Sequence, residues 1–402
     1  MKIIYVSKYT ILPEFGSPTR QYFLSKALAE MDGNEVMLIG SRSTLGDVPD
    51  IHGLYQKRTE DRLQMVTLNG PKINLGFNFN RLKSWWIFEK NLIRFRSSIR
   101  GFKPDRILVS SLSILTFLSG VYLKRWLKRP LIIEIRDIYP LTLLEVGGYS
   151  KRHPAVLLLS WVEKFGYSNA DMIISTLPNA KEHIASVIDK PFRFKWIPMG
   201  VDTDYFNSAS GITVPDINPQ NKFIVGYAGT LGKANALDEL FEAAVDLEKS
   251  NPGIEFVFIG DGPMKSEYVQ RYGSLSNVRF LPSVKKNELQ PYLQQMDLLV
   301  NTWLDKPIYR FGISPNKWMD YMLAAKPILV AYNGYRCIIE EAGCGKFVAA
   351  ENKDAIRNGI LEFVCLTAME RKEMGEKGRK YLLENLTYKQ LAKELYNFIQ
   401  EN

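Results

Sequence analysis

Short apolar runs alternate with stretches of helical periodicity through most of this chain. KIIYVS (2–7) reads as a buried strand, a loop with Pro13, Gly16 and Pro18 follows, and Tyr22, Phe23, Ala27 and Leu28 then recur at helical spacing from about 19 to 31. Residues 35–39 read as the next strand. The uncharged run 107–123 divides into a strand, a turn at Ser110–Ser113 and a helix ending at Lys124, and LIIEIRD (131–137), an apolar helix over 154–168 and ADMIIST (170–176) continue the alternation. A polar linker over 207–222, with Gly211, Pro215 and Pro219, interrupts it. FIVGYAGTLG (223–232) then restarts the strand–glycine loop–helix pattern, and 255–263, 278–284, 296–302 and 327–332 supply further strands. Strand–loop–helix repeats on either side of a linker predict an α/β protein with two Rossmann-like domains. The last stretch, about 353–402, is helical in period, with Tyr388, Leu391, Leu395 and Phe398 on one face of its final helix.

Residues 81–100 (RLKSWWIFEKNLIRFRSSIR) carry a different pattern. Leu82, Trp85, Phe88, Leu92, Phe95 and Ile99 recur every three or four positions, so one helical side is apolar and aromatic. Arg81, Lys83, Lys90, Arg94, Arg96 and Arg100 surround it against one acid, Glu89. The pattern fits a helix lying on a membrane surface. A helix packed on its own sheet with a solvated basic face is the competing reading.

Composition changes this picture little, but charge changes it more. The 402 residues are 46% hydrophobic and 24% charged, ordinary for a globular protein long enough for two or three domains. Net charge is +9, unevenly shared: residues 1–200 hold 29 Lys and Arg against 17 Asp and Glu, residues 201–402 hold 23 against 26. A basic half points to a polyanion: an anionic membrane surface, nucleic acid or a pyrophosphate-bearing acceptor. No RNA- or DNA-binding motif accompanies the charge, so nucleic acid is not expected as a partner. Cys337, Cys344 and Cys365 form no close pair and suggest a reducing compartment. His52, His153 and His183 are scattered, so no metal cluster is visible, and neither a metal nor another cofactor is expected. MKIIYVSKYT is too short and too polar for a signal peptide.

Candidate chemistry centres on FGISPNKWMDYMLAAKPILV (311–330). Its turn residues include Gly312, Ser314, Pro315 and Asn316, with Ser or Asn available as a helix N-cap. Lys317 follows, and Asp320 lies one turn on. Amide donors and a cation suit phosphates, and a carboxylate suits ribose hydroxyls, so the segment is a candidate nucleoside-diphosphate site. An ordinary helix-to-strand step competes with this reading. At 229–233, Gly229, Thr230 and Gly232 leave room for phosphate and Lys233 supplies a second cation. In the first domain, Gly16 allows close approach and Arg20, at the start of the following helix, could reach a phosphate; a plain connecting loop is the competing reading. The FGSPTR loop lacks the dinucleotide GxGxxG spacing. Arg136 and Asp137 end the strand 131–137, where α/β sheets bind ligands, and a salt bridge between the two is the competing reading. Asp202 and Asp204 form a D-x-D that suggests metal only weakly.

The 311–330 segment resembles the donor-binding helix of the family 4 retaining glycosyltransferases of GT-B fold, most closely their capsule and O-antigen branch, where Ser-Pro-Asn-Lys precedes the helix. The resemblance covers nearly the whole chain, densest over 223–330 and weakest over 41–103. It implies two Rossmann-like domains facing each other across a cleft: an acceptor domain, 1–205; a nucleotide-sugar domain, 206–380; and a C-terminal helix, 381–402, returning to the first. It places Asp320 as the ribose ligand and seats the base near Val284. The family's first acidic residue falls at Gly312, with Ser314 and Asn316 as substitutes to consider. Asp137 stands at the family's catalytic polar position, often preceded by a histidine that is here Arg136.

The expected activity is transfer of a sugar, hexosyl or N-acetylhexosaminyl, with retention from a UDP-linked donor to a lipid-linked or saccharide acceptor in bacterial surface polysaccharide synthesis, capsule or lipopolysaccharide. The resemblance implies that no metal takes part. It also implies a polyprenyl-diphosphate-linked acceptor, peripheral contact with the membrane through residues 81–100, and a cytoplasmic location on the inner membrane face. A nucleotide-sugar epimerase of the same fold and a non-catalytic nucleotide-binding protein are the alternatives.

Overall fold

The computed structural model describes residues 1–12, 15, 19–42, 49–72, 79–207, 214–218 and 220–401. The chain divides into two compact units, Met1–Pro198 with Tyr388–Asn402, and Met199–Thr387.

The first unit runs β1 (Lys2–Val6), α1 (Arg20–Glu30), β2 (Glu35–Ser41), β3 (Tyr55–Glu60), β4 (Leu63–Leu68), α2 (Phe79–Arg94), α3 (Arg96–Phe102), β5 (Arg106–Ser110), α4 (Thr116–Leu127), β6 (Leu131–Ile135), α5 (Leu141–Glu145), α6 (Pro154–Asn169), β7 (Met172–Ser175), α7 (Ala180–Val187) and β8 (Phe194–Trp196). The second runs α8 (Thr203–Asn207), β9 (Phe223–Ala228), α9 (Asp238–Ser250), β10 (Ile254–Ile259), α10 (Lys265–Tyr272), β11 (Val278–Leu281), α11 (Gln290–Leu293), β12 (Leu298–Thr302), α12 (Asn316–Leu323), β13 (Ile328–Ala331), α13 (Ile338–Glu341), β14 (Gly345–Val348), α14 (Lys353–Cys365) and α15 (Ala368–Asn385). The last helix, α16 (Tyr388–Gln400), rejoins the first unit.

Among the described residues the first sheet has the order β3-β4-β2-β1-β5-β6-β7-β8 and the second β11-β10-β9-β12-β13-β14. All pairings are parallel except β3 with β4. The second order is that of a Rossmann sheet, and the first contains it with an added strand at each edge. Crossover helices cover both faces of such sheets, so their strands are continuous apolar runs: Ile3 to Val6, Ile132 to Ile133 and Leu298 to Val300 are all buried. The antiparallel β3, whose residues are mostly exposed, and the short edge strands β8 and β14 are too polar or too short to stand out in the sequence.

The stripe expected to meet a membrane instead faces inward. Trp85, Phe88, Leu92, Phe95 and Ile99 are all buried. Trp85 Nε1 donates to the Tyr9 hydroxyl at 2.8 Å, and Phe95 meets the Tyr55 ring edge-on. Even Glu89 is inside, accepting from Thr116 Oγ1 and Ser119 Oγ. A crossover helix must cover its sheet, and that requirement claims the apolar face here. Membrane contact through that face of 81–100 is therefore excluded; what α2 turns outward is Lys83, Trp86, Lys90 and Arg94. On α16, Tyr388, Leu391, Leu395 and Ile399 are buried, whereas Phe398 lies half-buried beneath the Arg193 guanidinium.

Candidate functional site

In the second unit, the C-terminal ends of β9 and β10 carry two loops stitched together by backbone. Gly229 N–H donates to Ile259 O at 2.9 Å and Leu231 N–H to Asp261 O at 2.8 Å. Gly229 has φ +148°, and a Cβ there would stand 2.4 Å from Lys317 Cε. Only glycine serves both the backbone and the passing lysine. The loop is held from below as well: Tyr227 Oη and Asn235 Nδ2 both donate to Thr230 O, at 2.8 and 2.9 Å, and Thr302 Oγ1 donates to Asn235 O.

Lys317 enters this loop from the first turn of α12. Its Nζ donates to Asn235 Oδ1 at 2.9 Å and stands 5.2 Å from the Tyr227 ring centroid. Burial pushes the Lys317 ammonium down to about 8, with Asp320 opposing the fall and Lys286 adding to it. Asp320, one turn further, is buried. Its Oδ2 accepts from Lys286 Nζ, while Oδ1 has no hydrogen-bond donor among the described residues. Burial raises the Asp320 carboxyl above the usual carboxylate range; Lys286 and Lys317 pull it back. Tyr321 anchors the helix beneath the site, its hydroxyl accepting from Ala228 N–H at 3.0 Å.

The N-terminus of α12 differs from expectation. Pro315 is the N-cap and no side chain caps the helix. Ser314 Oγ instead accepts from Met199 N–H at 2.9 Å, and Asn316 is exposed as the first helical residue. Gly312 has φ +87°, in the left-handed region where an acidic side chain would be strained. That conformation gives a physical reason for glycine at this position.

In the first unit, Arg20 must be corrected. It is fully enclosed: Nε donates to Glu134 Oε1 at 3.0 Å, one terminal nitrogen to Ile197 O at 2.9 Å and the other to Pro198 O. Tyr5 Oη completes the set by donating to Glu134. Buried among these acceptors, the guanidinium ties the end of the unit to its sheet and does not stand open to a phosphate. Gly16 lies outside the described residues. At Arg136 and Asp137, Ser111 Oγ accepts from both backbone N–H groups, at 2.9 and 3.3 Å. Asp137 reaches solvent, although the surrounding protein raises its carboxyl, with Arg136 and Arg81 opposing. Nearby, Arg81 Nε donates to Tyr9 Oη at 3.2 Å, and the Trp85 and Tyr139 rings meet edge-on at 6.0 Å.

Among the described residues no three His, Cys, Asp or Glu side chains gather as a metal site. Asp202 of the D-x-D motif accepts from Tyr205 N–H at 2.8 Å, within the start of α8.

Comparison with known proteins turns this geometry into a family. Residues 16–205 match the family described as Glycosyltransferase Family 4, and residues 222–365 match Glycosyl transferases group 1. The two matches, one to each unit, support a GT-B glycosyltransferase. It is similar to the probable glycosyltransferase WbjE of Pseudomonas aeruginosa, 24% identical over 322 residues, which are 77% of this chain and 78% of that protein. Sucrose-phosphate synthase from Thermosynechococcus elongatus shares its fold at TM-score 0.76 and 16% identity, covering 100% of this chain and 98% of that one. HepE of Anabaena, solved with UDP and glucose, does so at TM-score 0.65 and 15% identity, with 100% of both chains covered.

Of the expected donor residues, Gly229, Thr230, Lys317 and Asp320 come together in the second unit. Val284 is half-buried two residues before Lys286, which reaches the same helix. Gly232 is buried behind the loop, and the Lys233 side chain is exposed with no hydrogen bond or ion pair to the described residues. Sequence reasoning missed Lys286, Asn235, Tyr321 and the Arg20–Glu134 pair. Only the last left a usable signal: a carboxylate amid LIIEI demands a buried cation.

Proposed function

We propose that this glycosyltransferase moves a sugar, with retention and without a metal, from a UDP-sugar to a polyprenyl-diphosphate-linked acceptor in bacterial surface polysaccharide synthesis. One observation carries the donor assignment: a lysine on the first turn of α12 threads under a glycine loop while a buried carboxylate one turn on keeps one oxygen without a donor among the described residues. Lys317, Lys233 and the N–H groups opening α12 neutralise the leaving diphosphate, and the free Asp320 oxygen accepts from ribose hydroxyls. The base lies against the Val284 segment. The similarity to HepE, solved with UDP and glucose, supports uridine as the nucleoside. The Ser314-Pro315-Asn316-Lys317 run, which resembles that of the capsule and O-antigen branch, supports the lipid-linked acceptor.

In the transfer, the bond from the sugar C1 to the diphosphate oxygen breaks and the acceptor oxygen bonds to C1 on the same face. The acceptor proton passes to a donor phosphate oxygen. Asp137 orients the acceptor or balances positive charge developing on the sugar, with Arg136 beside it. The enzyme works peripherally at the inner face of the cell membrane, where its acceptor resides.

The test is incubation with a panel of nucleotide sugars, with UDP release followed with and without EDTA. Slow UDP release that EDTA leaves unchanged, with no epimer formed, is the expected result. Asp137→Asn should slow turnover at least about tenfold while UDP still binds. Activity abolished by EDTA and restored by magnesium or manganese would reverse the metal-free scheme.

A further inference from the structure

Helix α6 crosses from β6 to β7 with its inner side in the core: Val156, Leu159, Val162 and Tyr167 are buried. Its outer side is not the polar surface such a helix ordinarily shows. Leu157, Leu158 and Trp161 are 58%, 48% and 55% exposed. Trp161 stacks on Phe165, ring centroids 5.3 Å apart, so the apolar stripe extends to the next turn. Single exposed apolar residues need no explanation, but contiguous ones on one helix side mark an interaction surface.

The charge around the stripe identifies what it meets. Lys151, Arg152 and Lys164 are exposed, and the Arg125 guanidinium of α4 lies 5.9 Å from the Phe165 ring centroid. The segment 151–168 contains one carboxylate, Glu163, and it is turned inward. There His183 Nε2 lies 2.7 Å from its Oε1 and Tyr167 Oη donates to the same oxygen at 3.2 Å. The outward face therefore combines Trp and Leu with cations and shows no acid of its own segment. Tryptophan settles at headgroup level, leucine reaches the acyl boundary, and lysine and arginine extend to anionic phosphates. Insertion across the bilayer is not available to this helix, since no helix among the described residues is long and apolar enough to cross a membrane.

We infer that the outward face of α6, built on Leu157, Leu158 and Trp161 and flanked by Lys151, Arg152 and Lys164, docks this protein on an anionic lipid bilayer surface. The purpose of that docking rests on the lipid-linked acceptor proposed above; the surface itself stands on exposure and charge alone. It transfers the membrane-facing role from the 81–100 stripe, which is buried, to a helix that turns Leu157, Leu158 and Trp161 outward.

Co-sedimentation tests it, with vesicles of phosphatidylethanolamine and phosphatidylglycerol compared with vesicles of phosphatidylcholine alone. The wild type should sediment with the anionic vesicles, less so as salt rises. The triple variant Leu157→Ser, Leu158→Ser, Trp161→Ser should bind at least about tenfold more weakly. Because these side chains are exposed, its thermal unfolding should match the wild type. Lys151→Glu with Arg152→Glu and Lys164→Glu should lose the preference for anionic vesicles. Undiminished sedimentation of the triple variant overturns the inference, as does equal wild-type binding to both vesicle types. It is also overturned if the wild type is a lipid-free dimer by sedimentation velocity that the triple substitution dissociates, since the face then belongs to a second copy. UDP calorimetry on the same proteins separates the two readings. Variants that lose vesicles but keep UDP place the failure in docking, and a wild type that binds vesicles but not UDP leaves docking standing without the donor site.

Discussion

Two buried carboxylates, Glu134 in the first unit and Asp320 in the second, each stand against a cation, and they do opposite things. Arg20 and Tyr5 each donate to one oxygen of Glu134, and the two terminal nitrogens of Arg20 donate to the Ile197 and Pro198 carbonyls. Both side chains of that pair are fully buried. Asp320 is buried almost as deeply, but its partner Lys286 keeps 30% of its side-chain surface exposed, and one carboxylate oxygen lacks a donor among the described residues. A saturated buried pair fixes structure, whereas an incomplete one is costly unless something completes it. The environments act accordingly on the two groups. Although burial pushes both carboxyls up, Arg20 and Arg136 overcome it at Glu134 and hold its carboxyl below the usual value. At Asp320 burial wins.

The sharpest way to break this contrast is Glu134→Gln. It leaves the Arg20 charge buried without a counter-ion, for which the expected loss is about 3–5 kcal/mol. Because the folded Glu134 carboxyl is depressed, its contribution is present above the unfolded value and disappears as pH falls through the folded one. The gap between variant and wild type in thermal unfolding should therefore narrow in acid. UDP affinity, measured below the melting transition, should be unaffected. A variant as stable as the wild type at neutral pH would remove Glu134 from its structural role.

Lys317→Ala tests the other half. Charge-assisted bonds to a diphosphate predict a loss of roughly 1–3 kcal/mol in UDP binding, and Lys233→Ala should fall in the same range. Because the Lys317 ammonium is lowered to about 8, wild-type affinity for UDP should decline as pH rises past that point. The alanine variant should show no such decline. Unchanged UDP affinity in both lysine variants, by calorimetry, rejects the diphosphate assignment.

What could be read from sequence follows the range of the interactions. Apolar runs and the restart at Phe223 disclosed two Rossmann-like units because strand burial and helical period are local properties. The Arg20–Glu134 pair spans 114 positions and the Lys286–Asp320 pair spans 34, so no window over the chain contains either. Arg20 was therefore readable as a basic residue after a glycine loop but not as one already spent. The 81–100 helix failed for another reason. Periodicity discloses that a face is apolar, never what covers it, and the same stripe serves a sheet or a membrane. Helix α6 is the converse case: an apolar helix in sequence, it became informative only when exposure divided Leu159 from Leu157 and Leu158.

The finest test of the comparison is Lys286→Met, which makes Asp320 resemble a carboxylate with no cation bonded to it. The methionine keeps the apolar stem and removes the charge. With burial already raising the Asp320 carboxyl, loss of Lys286 raises it further, so the carboxylate takes up a proton at a higher pH than in the wild type. A protonated Asp320 is a poorer acceptor for ribose hydroxyls. Binding should weaken by about 1 kcal/mol, the scale of one hydrogen bond. The deficit should shrink as pH rises and the carboxylate re-ionises. The decisive control is uridine, which has the ribose but no phosphate. If Lys286 acts through Asp320, uridine and UDP lose affinity by the same factor, and Asp320→Asn reproduces the loss without its pH dependence. If only UDP is affected, Lys286 is a direct phosphate ligand, and its bond to Asp320 is a resting contact that the nucleotide displaces.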